Sequence, residues 1–245
     1  TGYRSRFYQG IGAMKPSDYY AQDVAQGKVQ EDPSQEQVLI DLDRIYNALH
    51  PSFVKIPWFK KILPAKTIPP KGLYLWGSVG RGKTYLMDIF YQSLEVPKLR
   101  QHFYEFMNNV HAELKMQQGH AEPLKLVAAK IAKRAKVLCL DEFFVEDIAD
   151  AMILSAFISY LLAENVVIVT TSNVVPDALY EGGLQRDRFI PAIAMLKAHL
   201  QINHLDHEQD YRLTKTLCDH RYHSHLDDAD VFLAAQFKLL NHDAA

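Results

Sequence analysis

Short apolar runs alternate along this chain with longer segments in which apolar residues recur at helical spacing. The runs predict five buried strands, at residues 73–76, 99–104, 136–140, 166–169 and 201–205. In the longer segments apolar residues recur every three or four positions. Val38, Leu42, Ile45 and Leu49 are an example, because they step by four, three and four residues. The longer segments predict helices at 33–49, 85–94, 106–119, 124–135, 147–163, 193–200 and 231–240. This alternation predicts an α/β protein with a mostly parallel sheet.

A glycine-rich loop lies between the first predicted strand and a predicted helix. Its sequence, GSVGRGKT at 77–84, fits the phosphate-loop pattern G-x-x-x-x-G-K-[ST]. In such a loop, successive backbone N–H groups converge on phosphate oxygens, and the helix N-terminus adds its partial positive charge. Lys83 is expected to reach the β- and γ-phosphates of ATP, and the Thr84 hydroxyl to bind Mg²⁺. The expected nucleotide-binding residues are Gly77, Ser78, Val79, Gly80, Arg81, Gly82, Lys83, Thr84 and Tyr85.

Two carboxylates close the predicted strand at 136–140. Asp141 and Glu142 follow it directly, in the hhhhDE pattern of a Walker B strand. A buried parallel strand delivers such side chains at its carboxyl end, where ligands of open α/β sheets bind. Asp141 is expected to hold the Mg²⁺ ion, and Glu142 to orient and deprotonate the attacking water. An acidic helix cap after a core strand is the alternative, which the phosphate loop disfavours.

The composition fits one α/β domain with a substantial core. The chain has 245 residues, of which 48% are hydrophobic and 23% are charged. Its two cysteines, Cys139 and Cys218, form no disulfide framework, which indicates a reducing compartment and therefore the cytoplasm. A net charge of −2 argues against wholesale nucleic-acid binding.

A segment rich in proline and lysine, at 51–70, separates an N-terminal helical segment at 14–50 from the phosphate loop. Between Asp43 and Asp88 the chain carries eight positive side chains and no negative ones. The segment is expected to be a solvated linker or, alternatively, a contact to an anionic surface such as a membrane. Residues 1–13 lack the apolar core of a signal peptide, and we interpret them as a remnant of cloning rather than a trimmed organelle-targeting peptide.

Four longer strings resemble the ZapE family of AAA+ ATPases, which bacteria use in cell division and which has mitochondrial counterparts. They are GLYLWGSVGRGKTYLMDIFYQSL, VLCLDEFFVEDIADAM, TTSNVVPDALYEGGLQRDRFIPAI and DYRLTKT, within a likeness that runs from Tyr19 to Leu226. The resemblance implies a P-loop NTPase fold of AAA+ type, with a mostly parallel five-stranded sheet, helices on both faces and a core at 71–227. The helix at 228–245 is expected to lead to a C-terminal region of the family that is absent here.

The resemblance also implies roles for three residues beyond the Walker motifs. Asn173 follows the fourth predicted strand, where an AAA+ sensor 1 Asn hydrogen-bonds the γ-phosphate or the water. A turn-forming Asn before a proline is the alternative. Arg186 and Arg188 lie ahead of a predicted helix, where an arginine finger would act on a neighbouring subunit's nucleotide. A helix cap or a surface ion pair is the alternative for these arginines.

The activity that the resemblance implies is Mg²⁺-dependent ATP hydrolysis by a homo-oligomer, coupled to remodelling a protein partner, with FtsZ as the candidate. The alternative is a nucleotide-gated module that attaches to membrane or nucleic acid through 51–70, but Glu142 supplies a base that such a module does not need. A GTPase switch is disfavoured because the chain has no N-K-x-D string. One Cys/His group matches no strong zinc pattern and is interpreted as surface residues. Its members are Cys218, His220, His223 and His225.

Overall fold

A parallel five-stranded sheet forms the centre of the computed structural model, which describes residues 14–50 and 69–205. The strands are β1 Gly72–Trp76, β2 Lys98–His102, β3 Val137–Asp141, β4 Val167–Ser172 and β5 Leu200–His204. Their order across the sheet is β2-β3-β4-β1-β5, and every neighbouring pair is parallel. The prediction of a parallel five-stranded α/β sheet is therefore confirmed.

Seven α-helices connect and cover these strands in the described part of the chain. They are α1 Pro16–Ala25, α2 Pro33–Leu49, α3 Lys83–Ser93, α4 Phe103–Met116, α5 Pro123–Arg134, α6 Ile148–Ala163 and α7 Arg186–His199. Local sequence explains several of their starts. Asp32 caps α2 by accepting a 2.9 Å hydrogen bond from the Ser34 N–H, and Asp147 caps α6 through the Ala149 N–H. Proline is the first residue of α1, α2 and α5, where its missing N–H costs nothing.

The helices cover both faces of the sheet. Alternate residues of a strand point to opposite faces, so Leu138 and Leu140 pack with α4 to α7, while Val137 and Cys139 pack with α1 to α3. Strand segments that are buried on both faces read as continuous apolar runs, which is why residues 137–140 of β3 and 167–169 of β4 were visible in the sequence. Helices on both faces were predicted, and this prediction is confirmed.

Several predicted boundaries are wrong. The fourth strand was predicted to end at residue 169, but it runs to Ser172 because its last three residues pair with β1. The second strand ends at His102, because Phe103 and Tyr104 already belong to α4, whose buried face begins with Phe103. Leu200 opens β5 instead of ending the preceding helix, since it pairs with β1. Arg186 and Arg188 lie within the first turn of α7 and not ahead of it.

Several predictions fall outside the described residues. They concern 1–13, most of the basic segment at 51–70, the string DYRLTKT, the Cys/His group and the C-terminal helix. Within the described segments, no helix combines the length and the hydrophobicity that crossing a bilayer requires.

Candidate nucleotide-binding site

The phosphate loop begins where three neighbouring strands end. The Gly77 N–H donates to the Ser172 carbonyl of β4 at 3.2 Å, and the Leu205 N–H donates to the Trp76 carbonyl at 2.8 Å. Gly80 and Gly82 have φ angles of 85° and 86°, in the left-handed region that glycine adopts without a steric penalty. The pattern of glycines in the sequence thus matches the backbone that the loop needs to turn from β1 into α3.

Lys83 is the first residue of α3 and is buried. Its Nζ donates to the carbonyls of Gly77 and Ser78, each at 2.7 Å, so the side chain folds back over the loop. The next residue, Thr84, is exposed at the start of the helix. The loop therefore holds its ammonium group against its own backbone and presents a hydroxyl beside it.

Tyr85 contributes to this region in a different way. Its hydroxyl donates to the Asp23 Oδ2 of α1 at 3.0 Å, and burial together with this hydrogen bond raises the pKa of Tyr85. Gln35 of α2 also approaches the loop, since its Nε2 lies 2.8 Å from where a Cβ on Gly82 would be. The N-terminal helices thus support the loop, and the phenol of Tyr85 is engaged with α1.

Asp141 is the last residue of β3, and its carboxylate is buried in an ion pair that the sequence did not reveal. Arg100 of β2 donates from Nε to Asp141 Oδ2 at 2.6 Å and from Nη2 to Asp141 Oδ1 at 3.3 Å, while its Nη1 donates to Asp88 of α3. Burial lowers the pKa of Arg100, but the hydrogen bonds to the two carboxylates outweigh it and the net pKa is raised. The available signal was an arginine in the middle of a predicted strand.

Glu142 follows Asp141 but lies in quite different surroundings. Its φ is 56°, an uncommon conformation for a residue other than glycine, and 76% of its side chain is exposed. The turn is fixed by β4, because the Glu142 N–H donates to Thr171 Oγ1 at 3.2 Å and the Phe143 N–H to the Thr171 carbonyl at 2.7 Å. His102 Nδ1 lies 4.0 Å from Glu142 Oε2. The turn thus leaves one carboxylate buried and the other open to solvent.

Asn173 follows β4 at the same edge of the sheet and is exposed. Because Trp76 pairs with Ser172, Asn173 comes next to Gly77. The Ser172 Oγ donates to the Phe143 carbonyl at 2.7 Å and accepts from the Val174 N–H at 3.1 Å, which fixes the backbone around Asn173. The structure therefore brings the phosphate loop, the two carboxylates and Asn173 to the carboxyl ends of adjacent strands.

The two arginines of α7 differ from each other. Arg186 is half-buried and donates from Nη2 to the Asp177 carbonyl. Arg188 is exposed, and its side chain has no hydrogen-bond or ion-pair partner among the described residues. Neither arginine is bonded to Asp141, Glu142 or Asn173 in the described part of the chain.

The oxygen donors at this edge fit a magnesium ion held together with a nucleotide. Mg²⁺ in phosphate-transfer sites takes one or two protein oxygens and completes its shell with water and phosphate oxygens. Thr84 and Asp141 are donors of that kind. Among the residues that the structure describes, no group of three or more His, Cys, Asp or Glu side chains could hold a metal alone.

Comparisons with known proteins agree on one family. The model of the AFG1-like ATPase family matches residues 14–242. The cell division protein ZapE of Escherichia coli K12 is 41% identical over 229 residues, which cover 88% of this chain and 61% of ZapE. An uncharacterised protein of Schizosaccharomyces pombe is 35% identical over 243 residues, covering 84% of this chain and 53% of that protein. This chain therefore spans between half and two thirds of the length of these relatives.

Solved structures share the fold at low sequence identity. DnaI is 22% identical with a TM-score of 0.51, covering 73% of this chain and 85% of DnaI. The replication initiator DnaA, bound to AMPPCP and single-stranded DNA, is 14% identical with a TM-score of 0.51, covering 84% of this chain and 58% of DnaA. These two structures support the fold alone.

Proposed function

This chain belongs to the AFG1-like ATPase family, and from that premise we propose that the carboxyl edge of its sheet binds MgATP and hydrolyses it. One observation carries the proposal. The pairing of β1 with β4 and of β3 with β4 brings a loop of phosphate-binding sequence beside a buried and an exposed carboxylate. A phosphate-binding group and a base at one edge are what in-line hydrolysis of a nucleotide requires.

The phosphate loop would hold the β- and γ-phosphates through its backbone N–H groups and through Lys83. For this, the Lys83 ammonium exchanges at least one of its two carbonyl contacts, to Gly77 and Ser78, for phosphate oxygens. Thr84 and Asp141 would hold the magnesium ion, which neutralises charge on the phosphates when bound. Tyr85 would contribute to nucleotide binding through its main chain, because its hydroxyl already donates a hydrogen bond to Asp23.

Glu142 is the proposed base. Its exposed carboxylate would accept a proton from water, while the water oxygen bonds to the γ-phosphorus and the bond to the ADP oxygen breaks. Asn173, beside the start of the phosphate loop, would orient this water or the γ-phosphate through its amide. A module that only binds nucleotide would need no base, so Glu142 favours hydrolysis over the binding-module alternative.

Arg188 is the proposed arginine finger, acting on the nucleotide of a neighbouring copy in an ATP-dependent homo-oligomer. The contrast with Arg186 supports this choice, because Arg186 is engaged with the Asp177 carbonyl while Arg188 is exposed. We assign Arg186 to holding the start of α7 against the preceding segment.

The similarity to relatives suggests the process that ATP hydrolysis drives. ZapE is a cell division protein, and we propose that this chain uses ATP in the cytoplasm to remodel a protein partner, with FtsZ as the first candidate to test. The oligomer and the partner rest on the family resemblance, and the compartment rests on the two cysteines that form no disulfide framework.

Replacing Lys83 tests the nucleotide site directly. Two charge-assisted hydrogen bonds from the Lys83 ammonium to the β- and γ-phosphates would contribute about 3–6 kcal/mol together. Lys83→Ala is therefore expected to weaken binding of a non-hydrolysable ATP analogue about 100-fold or more. Isothermal titration calorimetry in Mg²⁺ measures this effect. Lys133→Ala is the matched control, because Lys133 is an exposed lysine without an ion pair among the described residues. Equal affinity in Lys83→Ala and wild type would remove the assignment of this loop.

A further inference from the structure

Arg100 occupies both oxygens of the carboxylate that is proposed to hold magnesium. Its Nε and Nη2 bond the two oxygens of Asp141 at 2.6 Å and 3.3 Å, and its Nη1 bonds Asp88. We call these contacts the Arg100 bridge. Only 20% of the Arg100 side chain and 11% of the Asp141 side chain are exposed, so solvent screens their ion pair weakly.

The Arg100 bridge joins the two elements that would supply the metal ligands. Thr84 and Asp88 are four residues apart on α3, so they lie on the same face of that helix, one turn apart. Asp141 is at the end of β3, and Arg100 reaches it from the neighbouring edge strand β2. A positive side chain is therefore fixed against Asp141, one of the two proposed metal ligands, and against the helix that carries the other.

We propose that Arg100 is a resident cation that magnesium must compete with at Asp141, so that the Arg100 bridge sets the metal requirement of the site. This inference rests on the proposed function. Without metal, a buried carboxylate needs a counter-charge, and Arg100 supplies it. When a divalent cation binds Asp141, Arg100 lies next to a like charge and must share or give up its two hydrogen bonds. The bridge thus stabilises the metal-free site at the cost of metal affinity.

If Arg100 only orients Asp141, removing Arg100 should change the metal affinity in the opposite direction. If the guanidinium only holds Asp141 in the geometry that the metal needs, removing it lowers metal affinity. If it competes, removing it raises metal affinity, because the repulsion disappears. Even at the dielectric constant of bulk water, two unit charges about 4 Å apart repel enough to change a binding constant about fivefold.

The experiment compares Arg100→Gln with Arg134→Gln, an exposed arginine without an ion pair among the described residues. Each protein is saturated with the ATP analogue AMPPNP, and Mn²⁺ binding is measured by electron paramagnetic resonance. We expect Arg100→Gln to bind Mn²⁺ at least about fivefold more tightly than wild type, and Arg134→Gln to match wild type. In EDTA without nucleotide, we expect Arg100→Gln to unfold more than about 5 °C below wild type, because Asp141 is left buried and unpaired.

Unchanged or weaker Mn²⁺ binding by Arg100→Gln overturns the competition. Failure of wild type to bind AMPPNP at all would instead count against the proposed function, and the melting temperatures in EDTA would still report on the Arg100 bridge. If Arg100→Gln does not fold, wild type provides the test through the ¹⁵N signal of the Arg100 Nε–H, assigned by its loss in Arg100→Lys. Faster exchange of this proton with water on adding Mg²⁺ and AMPPNP supports the proposal, and unchanged exchange overturns it.

Discussion

Lys83 and Arg188 are the two cations proposed to act on ATP, and they lie in different surroundings. Lys83 is buried, and its ammonium is bonded to two carbonyls of the phosphate loop at 2.7 Å. Arg188 is exposed in the first turn of α7 and has no side-chain partner in the described residues. Lys83 therefore lies where it can bind a phosphate held in the loop of its own chain once it releases a carbonyl contact, whereas Arg188 is open to solvent and can reach a second molecule.

This difference separates what one chain can do from what an assembly can do. Binding of nucleotide would need only the loop, because Lys83 and the backbone N–H groups belong to a single chain. Fast hydrolysis would need Arg188 of a neighbouring copy, since charge spreads over the γ-phosphoryl oxygens in the transition state. Binding and turnover are therefore expected to respond differently to changes in these two regions.

The largest expected effect comes from Arg188→Ala. An arginine finger contributes about 10³ to 10⁵ in rate, so turnover should fall by at least about 10³ while affinity for AMPPNP stays at the wild-type value. Arg186→Ala is the matched control. It should lower the melting temperature, because the Arg186 guanidinium bonds the Asp177 carbonyl, and it should leave turnover close to the wild-type rate. Steady-state phosphate release measures turnover, and calorimetry measures the affinity for AMPPNP.

Mixing variants shows whether the finger acts between copies. Arg188→Ala mixed with Lys83→Ala creates interfaces that pair an intact loop with an intact arginine. Activity above the sum of the separate variants supports action in trans. Strictly additive activity, in mixtures where mixed oligomers are demonstrated, would contradict it.

A smaller effect is expected from crowding the start of the loop with Gly77→Ala. A Cβ on Gly77 would lie 2.2 Å from the carbonyl oxygen of Leu205, the residue after β5, so this residue or the loop has to move. Gly27→Ala is the control, because Gly27 also has positive φ, at 69°, but nothing lies within 4 Å of its added Cβ. Urea unfolding should show Gly77→Ala to be less stable than the control by about 1–3 kcal/mol. Equal stability of the two variants would refute the close packing of the loop against Leu205.

The parts of the fold that depend on short stretches of sequence were predictable. The bounds of α2 were predicted correctly because Pro33 opens a clear helical period that ends at Leu49. The phosphate loop was found because its glycines, lysine and threonine lie within eight consecutive residues, and β3 because residues 137–140 are all apolar.

The parts that depend on contacts between distant residues were not predictable. Arg100 reaches Asp141 across 41 positions, and although an arginine within a predicted strand was a signal, nothing in the sequence identifies its partner. Phe103 reads as part of a strand until its burial on α4 is known. The difference between Arg186 and Arg188 is set by the Asp177 carbonyl, whose position depends on the packing of α7.

Glu142→Gln provides the most direct test of ATP hydrolysis at this site. The amide keeps the shape of the side chain but cannot accept the proton, so kcat should fall by about 10² to 10⁴ while affinity for AMPPNP and Mg²⁺ stays at the wild-type value. Glu146→Gln, which changes another exposed glutamate four residues away, should leave both quantities unchanged. A Glu142→Gln variant that hydrolyses ATP at the wild-type rate would contradict the assignment of Glu142 as the catalytic base.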